Sequence, residues 1–512
     1  EFSPEFCVKL NGKKIFLQGN ANHHDLGALG AASYDRAIER MMLQLKSFGY
    51  NCIRCSHNPY SESFARIADR VGMLVVNELT DKWSDNDYWG GRQPFTHLWH
   101  KLITEWIKRD RNRPSIILWS LGNELQIREG WAGFEGTNDW GITTYNIFNQ
   151  LVKRWDHTRL TTVAMFPARA GAITRHDKEF NDYLVPPELA CATEVASFNY
   201  QSDKYDAYLK YQPDLILFQS EAETSKLLQP YYNMDRKRTV GMAYWGSAEY
   251  WGESNKWPKK GWNYSFFDHT MRPYPQAYLI KSAFMPEIPE VHIGVVDAAG
   301  AESVSWNDVT VGRMALNECW NHIPGSRQSL FTYTNAHSVE LLVNGQSMGV
   351  QQNDTTQANL RNMIYWKDVP YGNGGSVVAI ARDKSGKEVA RHRIETAGKA
   401  VALQIETETP ADWKADGMDL QYINVTAIDK KGRPVWDYNE PLTLQMEGAA
   451  RLVALDNGDH YTDELFQGIT SKRMYQGRMQ IILRSTKTPS NVKLKISSAD
   501  LKEKLSLKTF LK

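Results

Sequence analysis

The sequence predicts a multidomain α/β plus all-β protein: a (β/α)8 TIM barrel followed by two immunoglobulin-like β-sandwich domains. Three observations carry this expectation. Over residues 1–288, short apolar runs alternate with stretches of helical periodicity, and each apolar run ends in polar side chains, the pattern of βα units around a parallel sheet. Past Pro286-Glu287-Ile288-Pro289 the helical periodicity stops and short alternating runs take over, as in all-β sandwiches. Two of the barrel runs end in a glutamate, Glu124 and Glu221. That is the strand end at which barrel enzymes carry their chemistry.

The elements follow in order. Residues 15–19 read as a first strand that ends in Asn20-Ala21-Asn22-His23-His24-Asp25. Residues 33–48 read as an amphipathic helix, with Ser33 as N-cap, Ile38, Met41, Met42, Leu45 and Phe48 at helical spacing, and Gly49 as the stop. A second strand over 51–55 closes on Arg54, Ser56, His57, Asn58 and Pro59. A helix over 61–71 stops at Gly72, and a third strand over 73–76 leads to Asn77-Glu78. A helix near 97–112 turns Leu98, Leu102, Ile103 and Trp106 inward. The fourth strand, 115–120, carries the run Ile116-Ile117-Leu118-Trp119, a composition suited to a strand buried on both faces. Gly122 is expected to open the turn before Asn123 and Glu124. Further strands are expected at 160–164, 195–198, 215–218 and 240–245, and a last helix at 274–283. An open doubly wound sheet is the alternative, but no glycine-rich phosphate loop follows the first strand.

In the C-terminal part, runs at 330–334, 339–343 and 377–382 are split by Asn344-Gly345 and the glycines of 372–375. A second block starts near Lys399, with turns at Lys430-Lys431-Gly432 and Asp456-Asn457-Gly458. The expected boundaries are therefore 1–288 for the barrel, 289–397 for one sandwich and 398–512 for the other.

Composition narrows the function. With a net charge of +1 and 23 % charged residues, nothing points to nucleic acid or an anionic membrane. No apolar run approaches the ~20 residues that span a bilayer. The five cysteines (Cys7, Cys52, Cys55, Cys191, Cys319) are scattered and odd in number, which suggests no disulfide framework. Cys52 and Cys55 form a CxxC inside a strand, where i and i+3 face opposite sides, so it reads as structural. Seventeen Trp and 24 Tyr supply the flat apolar platforms with polar edges that sugar-binding clefts need. The start Glu1-Phe2-Ser3-Pro4 is neither a signal peptide nor an initiator sequence and reads as an internal start.

The chemistry rests on the second carboxylate. Asp214-Leu215-Ile216-Leu217-Phe218-Gln219-Ser220 repeats the earlier pattern and ends at Glu221, with Glu223 as a competitor two residues on. Two carboxylates at one barrel mouth are what glycoside hydrolysis requires: one protonates the leaving oxygen, the other attacks the anomeric carbon or activates water. Ion pairs that tie barrel loops together are the plainer alternative.

With these motifs in place, the chain resembles glycoside hydrolase family 2, the β-galactosidase, β-glucuronidase and β-mannosidase family, and looks closest to its bacterial β-galactosidase branch. The resemblance lies in Gly19-Asn20-Ala21-Asn22-His23-His24-Asp25 with Gly27 and Gly30; Ile53-Arg54-Cys55-Ser56-His57-Asn58-Pro59; Asp69, Gly72 and Glu78; Leu118-Trp119-Ser120-Leu121-Gly122-Asn123-Glu124; Ser220-Glu221; and Tyr244-Trp245, in the family's order. Val339-Glu340-Leu341-Leu342-Val343-Asn344-Gly345 resembles a strand and turn of the family's C-terminal domains. The resemblance implies a retaining exo-glycosidase with Glu124 as acid/base and Glu221 as nucleophile. It also implies substrate-binding roles. Asn123 meets the sugar 2-OH, and His23 and His57 hold hydroxyls or the transition state. Arg54 orients the nucleophile, Trp245 forms the floor of the sugar site, Tyr200 hydrogen-bonds the nucleophile and Asp25 meets a substrate hydroxyl. No cofactor is expected; some relatives place a Mg²⁺ ligand near Glu78, which leaves room for Mg or Ca. The expected partner is a carbohydrate, with a homo-oligomer left open and periplasmic or secreted export implied only by the resemblance.

The departures matter as well. The family normally carries a sugar-binding β domain and a β-sandwich before its barrel, and these 512 residues hold neither. Pro258 stands where the glucuronidase branch has the Asn of an Asn-x-Lys motif, which argues against a glucuronide. Lys259, Lys260 and Arg272 leave an anionic or sulfated galactan open, and β-mannoside is a further alternative. In another class altogether, the chain would be a catalytically inactive carbohydrate-binding fragment. Asp268-His269-Thr270-Met271-Arg272 is unusual for the branch.

Overall fold

Eight parallel strands close on themselves in chain order in the computed structural model: β1 Leu17–Asn22, β2 Cys52–Cys55, β3 Leu74–Glu78, β4 Ile116–Asn123, β5 Leu160–Met165, β6 Val195–Asn199, β7 Leu217–Ala222 and β8 Thr239–Trp245, with β8 pairing β1. The structure describes residues 1–83, 95–127, 130–131, 141–166, 185–254, 256–306, 309–409 and 411–510. Every strand expected from the apolar runs is present. Most extend further toward their C-terminal ends, because the polar residues that follow each run still pair in the barrel. Asn77 and Glu78 lie inside β3, and Ser120 to Asn123 inside β4.

The expected turn at Gly122 is not there. Gly122 sits within β4, and a Cβ at this position would meet Trp83 Nε1 at 2.7 Å. The indole lies against the strand and donates to the Leu121 carbonyl at 2.8 Å. This glycine serves close packing rather than a turn.

The helices follow from capping and spacing. Helix α1 spans Asp35–Ser47; in α2, Glu62–Val71, Ser61 caps the first turn by accepting from the Phe64 N–H at 3.3 Å, and Gly72 ends it at φ 70°. Its buried face is Phe64, Ala65, Ile67 and Ala68. The helix α3, Phe95–Asp110, buries Ile103, Trp106 and Ile107, while Leu98 and Leu102 are half-buried. Trp106 packs edge-on against Trp119 of β4 at 4.9 Å. Cys52 and Cys55 are buried free thiols in β2.

The described chain forms two compact units. One comprises Glu1–His24, Met42–Ser247 and Ser303–Gly312 and contains the eight barrel strands; the other comprises Asp25–Met41, Ala248–Glu302 and Arg313–Lys512. Within the second, Val291–Val296, Arg327–Thr334, Met363–Pro370 and Leu316–Asn317 form one antiparallel sheet, and Gln346–Gln352, Ser338–Val343, Ser376–Arg382 and Glu388–Glu395 another. Their inward residues, among them Ile293, Leu330, Leu341, Trp366, Val377 and Ile394, share one core. Ala400–Thr407, Leu420–Asp429, Arg478–Ser485 and Ala450–Asp456 form a third sheet, with Ser471–Arg473, Pro441–Glu447, Asn491–Ser498 and Leu501–Lys508 as a fourth. These two enclose a second core that includes Trp413, Ile423, Leu444, Ile481 and Leu494. The alternating burial along Asn491–Ser498 is the period-2 pattern of a strand with one wet face. No helix among the described residues is long and apolar enough to cross a membrane.

Candidate active site

Strand register gathers the predicted residues at the C-terminal rim of the barrel. Trp245 pairs with Ala21 and Ala21 with Arg54; Glu78 pairs with Ser120, Asn123 with Ala164, and Asn199 with Glu221. Four pairs of neighbouring barrel strands shift register, at Val75/Val76, Thr162/Ala164, Phe198/Asn199 and Gln219/Ala222, the last three near that rim. Such irregularities re-aim side chains beside a site. Glu124 and Tyr200 also take left-handed backbone, at φ 46° and 59°. A non-glycine residue there costs roughly 1–3 kcal/mol, and such residues concentrate at functional sites.

Arg54, fully buried, is the hub. Its Nη1 donates to Glu221 Oε1 at 2.6 Å; Nη2 donates to Glu78 Oε2 at 2.7 Å and to Asn123 Oδ1 at 2.9 Å; Nε donates to Glu78 Oε2 at 3.0 Å. Glu221 receives the Tyr200 hydroxyl on its other oxygen at 2.6 Å. Asn199 Nδ2 donates both to Asn123 Oδ1 at 3.0 Å and to Glu124 Oε1 at 3.1 Å, and Ser220 donates to Asn199 Oδ1 at 2.7 Å. Asn123 Nδ2 donates to Asp81 Oδ1 at 3.0 Å. His57 Nδ1 faces Glu78 Oε1 at 2.6 Å, and its Nε2 lies 3.3 Å from Asn123 Nδ2 and 3.8 Å from Glu221 Oε1. The His57 ring stacks on Trp245 at 5.3 Å, and His23 stands edge-on to both, at 5.1 Å from Trp245 and 5.6 Å from His57.

The electrostatics follow from this arrangement. Burial pushes the Glu78 carboxyl up, but Arg54 and then His57 outweigh it and hold Glu78 below its ordinary value. Burial pushes His57 down, and the Glu78 charge and hydrogen bond reverse that, so His57 sits above its ordinary value. Asp81 is held down to about 2 against burial by His57 and Lys82. Glu221 ends above the ordinary carboxylate range: burial and then the charge of Glu124 raise it, against Arg54, His57 and Tyr200. A buried guanidinium and a phenol thus both reach Glu221, one on each oxygen.

Eight of the nine predicted site residues thus lie in the barrel unit and are linked by these contacts. Asp25 belongs to the other unit and gives its carboxylate to backbone, Oδ1 accepting from Gly27 N–H at 2.8 Å and Oδ2 from Trp251 N–H at 3.2 Å. The sequence assigns Glu78 no firm role and does not reveal the contacts made by Asp81, Ser120, Asn199 and Ser220. Glu78 and Asn199 had a usable signal, since each is a polar residue at the end of a barrel strand. Both oxygens of Glu78 are engaged, by Arg54, His57 and the Ser120 hydroxyl at 2.7 Å. Of the basic segment, Lys259 is buried with Glu302 at 3.4 Å, Arg272 pairs with Asp268 at 3.2 Å, and Lys260 lies over the Trp257 ring at 5.1 Å.

Residues 5–237 match the model of the glycosyl hydrolases family 2 TIM barrel domain, residues 403–505 that of the family 2 C-terminal domain 5, and residues 325–390 a domain of unknown function. A β-galactosidase of Bacteroides ovatus is 27 % identical over 96 % of this chain and 61 % of its own length. A solved family 2 member from Bacteroides cellulosilyticus superposes with a TM-score of 0.87 at 27 % identity, over 100 % of this chain and 64 % of that one. A family 2 β-glucuronidase structure shares the fold, with a TM-score of 0.73 at 18 % identity over 100 % of this chain and 50 % of that one. The chain spans about half to three fifths of the length of the curated relatives it matches.

Proposed function

The chain belongs to glycoside hydrolase family 2, and on that premise we propose that it is a retaining, exo-acting β-glycosidase, with terminal β-D-galactosides as the first-choice substrate. The observation that carries the reading is the pairing at Glu221: a buried guanidinium on one oxygen, a phenol on the other, and Glu124 beside it through Asn199. In the first step the Glu221 carboxylate attacks the anomeric carbon while Glu124 gives its proton to the departing glycosidic oxygen. In the second, Glu124 takes a proton from water as that water displaces Glu221 from the sugar. Arg54 and Tyr200 hold the Glu221 oxygens in place for attack. Asn123, fixed by Arg54, Asn199 and Asp81, presents its amide to the sugar 2-OH. Trp245, His57 and His23 supply a ring surface and polar edges for the sugar. The chemistry asks for no cofactor beyond these two carboxylates.

Galactoside specificity is supported by the β-galactosidase among the relatives and by Pro258 in place of the glucuronidase-type Asn. The pairing of Lys259 with Glu302 and of Arg272 with Asp268 further argues against a uronic carboxylate. The test is a panel of aryl β-galactoside, glucuronide, mannoside and glucoside, with sulfated galactan oligosaccharides, against wild type and Glu221→Gln. Turnover of the galactoside with retention of anomeric configuration by NMR, lost in Glu221→Gln, is the expected result. Turnover of another glycoside alone moves the specificity. No turnover of any member leaves a carbohydrate-binding role and sinks the enzyme reading for this chain.

A further inference from the structure

The unusual segment around His269 and the turn Asp456-Asn457-Gly458-Asp459-His460 take no part in the reaction proposed above. Within the second unit they meet at Glu249. Glu249 Oε2 lies 3.3 Å from His269 Nδ1 and 3.1 Å from His460 Nε2, and the side chains of all three are at most 3 % exposed. The three atoms lie within 4.8 Å of one another. Zinc binds imidazole nitrogen at ~2.0–2.1 Å and carboxylate oxygen at ~2.0–2.2 Å, so two ligand atoms of a tetrahedral centre stand ~3.3 Å apart. Both measured edges fit that figure.

The surroundings are built as metal sites are built. His269 turns its other nitrogen, Nε2, to Asp456 Oδ1 at 2.8 Å, the carboxylate–histidine–metal arrangement that fixes tautomer and ring orientation. Asp456 is held in turn by the N–H groups of Gly458 at 3.0 Å and Ala28 at 3.3 Å. Gly458 holds φ 77°, and a Cβ there would stand 3.0 Å from Asp268 Oδ2. Glu249 Oε1 accepts the Tyr274 hydroxyl at 2.8 Å and lies 3.5 Å from Arg313 Nη1, which leaves Oε2 to face the two imidazoles. Trp251 covers both rings, at 4.6 Å from His269 and 4.9 Å from His460.

The independent observation is His460. Its ring is buried, yet neither nitrogen makes a hydrogen bond, so the 3.1 Å approach of Nε2 to Glu249 lacks hydrogen-bond alignment. A buried imidazole nitrogen without a well-aligned hydrogen bond is costly, whereas a lone pair directed at a cation is not left unused. We propose that Glu249, His269 and His460 bind one divalent transition-metal ion, zinc by the character of the donors. Two imidazoles and a carboxylate suit zinc, while magnesium and calcium favour oxygen-only sets. The glutamate leaves the bound ion at +1, and Asp456 balances that charge in a buried setting. The ion ties the turn before His460 to the segment that carries Glu249 and His269. Its role is therefore structural.

The competing state needs no metal: His269 is an imidazolium held between Glu249 and Asp456. The experiment separates the two. The untagged full chain is stripped with chelator, and Zn²⁺ and Co²⁺ are titrated at pH 7.5 by calorimetry and visible absorption, with the melting midpoint followed in parallel. One equivalent per chain, a four-coordinate Co²⁺ spectrum, a higher midpoint on Zn²⁺ addition, and loss of all three in His460→Gln are expected. Asp456→Asn guards against a misfolded His460 variant: it keeps the ligands and should weaken zinc binding 10–100-fold. Failure of wild type to bind one equivalent, binding unchanged in His460→Gln, or affinity unchanged in Asp456→Asn overturns the proposal in favour of the proton-bridged cluster.

Discussion

Replacing Glu78 with Gln removes one charge from the middle of a buried network and keeps its shape. Glu78 is fully buried and accepts from Arg54 at 2.7 and 3.0 Å, from Ser120 at 2.7 Å, and faces His57 Nδ1 at 2.6 Å. A hydrogen bond to a charged group is worth about 1.5–3 kcal/mol, and breaking a buried ion pair costs about 3–5 kcal/mol. Gln keeps an acceptor for Arg54, and Arg54 keeps Glu221, so the low end applies: about 3 kcal/mol, or a fall of roughly 6–12 °C in the barrel's melting midpoint. The pH dependence is the sharper test. Glu78 lies below its ordinary value of 4.5, so its contribution is present above that value and is lost as pH falls through the lower folded one. His57 lies above its ordinary value of 6.5, so its contribution is full below 6.5 and is lost as pH rises through the higher folded one. The stability gap between wild type and Glu78→Gln should therefore be widest between about pH 4.5 and 6.5, narrow on the alkaline side, and close in acid. Thermal melts of both proteins across pH 3–9 would measure it. A gap below about 1 kcal/mol at every pH would refute the claim that Glu78 positions Arg54 and His57.

Two further outcomes test the chemistry. Tyr200→Phe deletes the hydroxyl donated to Glu221 at 2.6 Å; a lost charge-assisted bond of about 1.5–3 kcal/mol predicts kcat/KM lower by roughly 10–150-fold with the fold intact by circular dichroism, and a change under threefold removes Tyr200 from the site. Glu124→Gln removes the proton donor, so turnover of alkyl or sugar glycosides should fall by about 10²–10⁴-fold while nitrophenyl glycosides, whose leaving groups need little protonation, fall far less in the glycosylation step; an equal loss on both would contradict the acid role.

The barrel was legible because each strand is an apolar run closed by polar residues, and burial on both faces demands that composition. The β-rich region was legible through period-2 runs and turn residues. What sequence spacing missed lies where local rules are overruled by packing. Gly122 read as a turn because glycine usually marks one; Trp83, 39 positions away in the chain, is what requires it. Asp25 followed the same polar cluster as His23, but its carboxylate is taken by the N–H groups of Gly27 and Trp251. No pattern around residue 25 encodes a partner at 251. Asn199 and Glu78 stood at strand ends in plain view. Their roles depend on register shifts between neighbouring strands, which only the closed barrel fixes.

A buried ion network of this kind is hard to explain as a stabilising device. Well-packed apolar side chains of similar volume are often as stable or more so, and left-handed backbone at Glu124 and Tyr200 adds cost at the same rim. The geometry does explain what the network is for. A guanidinium offers five N–H donors in a rigid plane, and Arg54 divides them among Glu221, Asn123 and Glu78. The orientation of the carboxylate assigned to attack, of the amide assigned to the 2-OH, and through Glu78 of His57, is thus set by one planar group. A lysine could neutralise the same charge but could not hold three acceptors at fixed mutual angles. The site is therefore costly where orientation is demanded of it, and that placement of cost favours a catalytic rim over loops merely tied together by ion pairs.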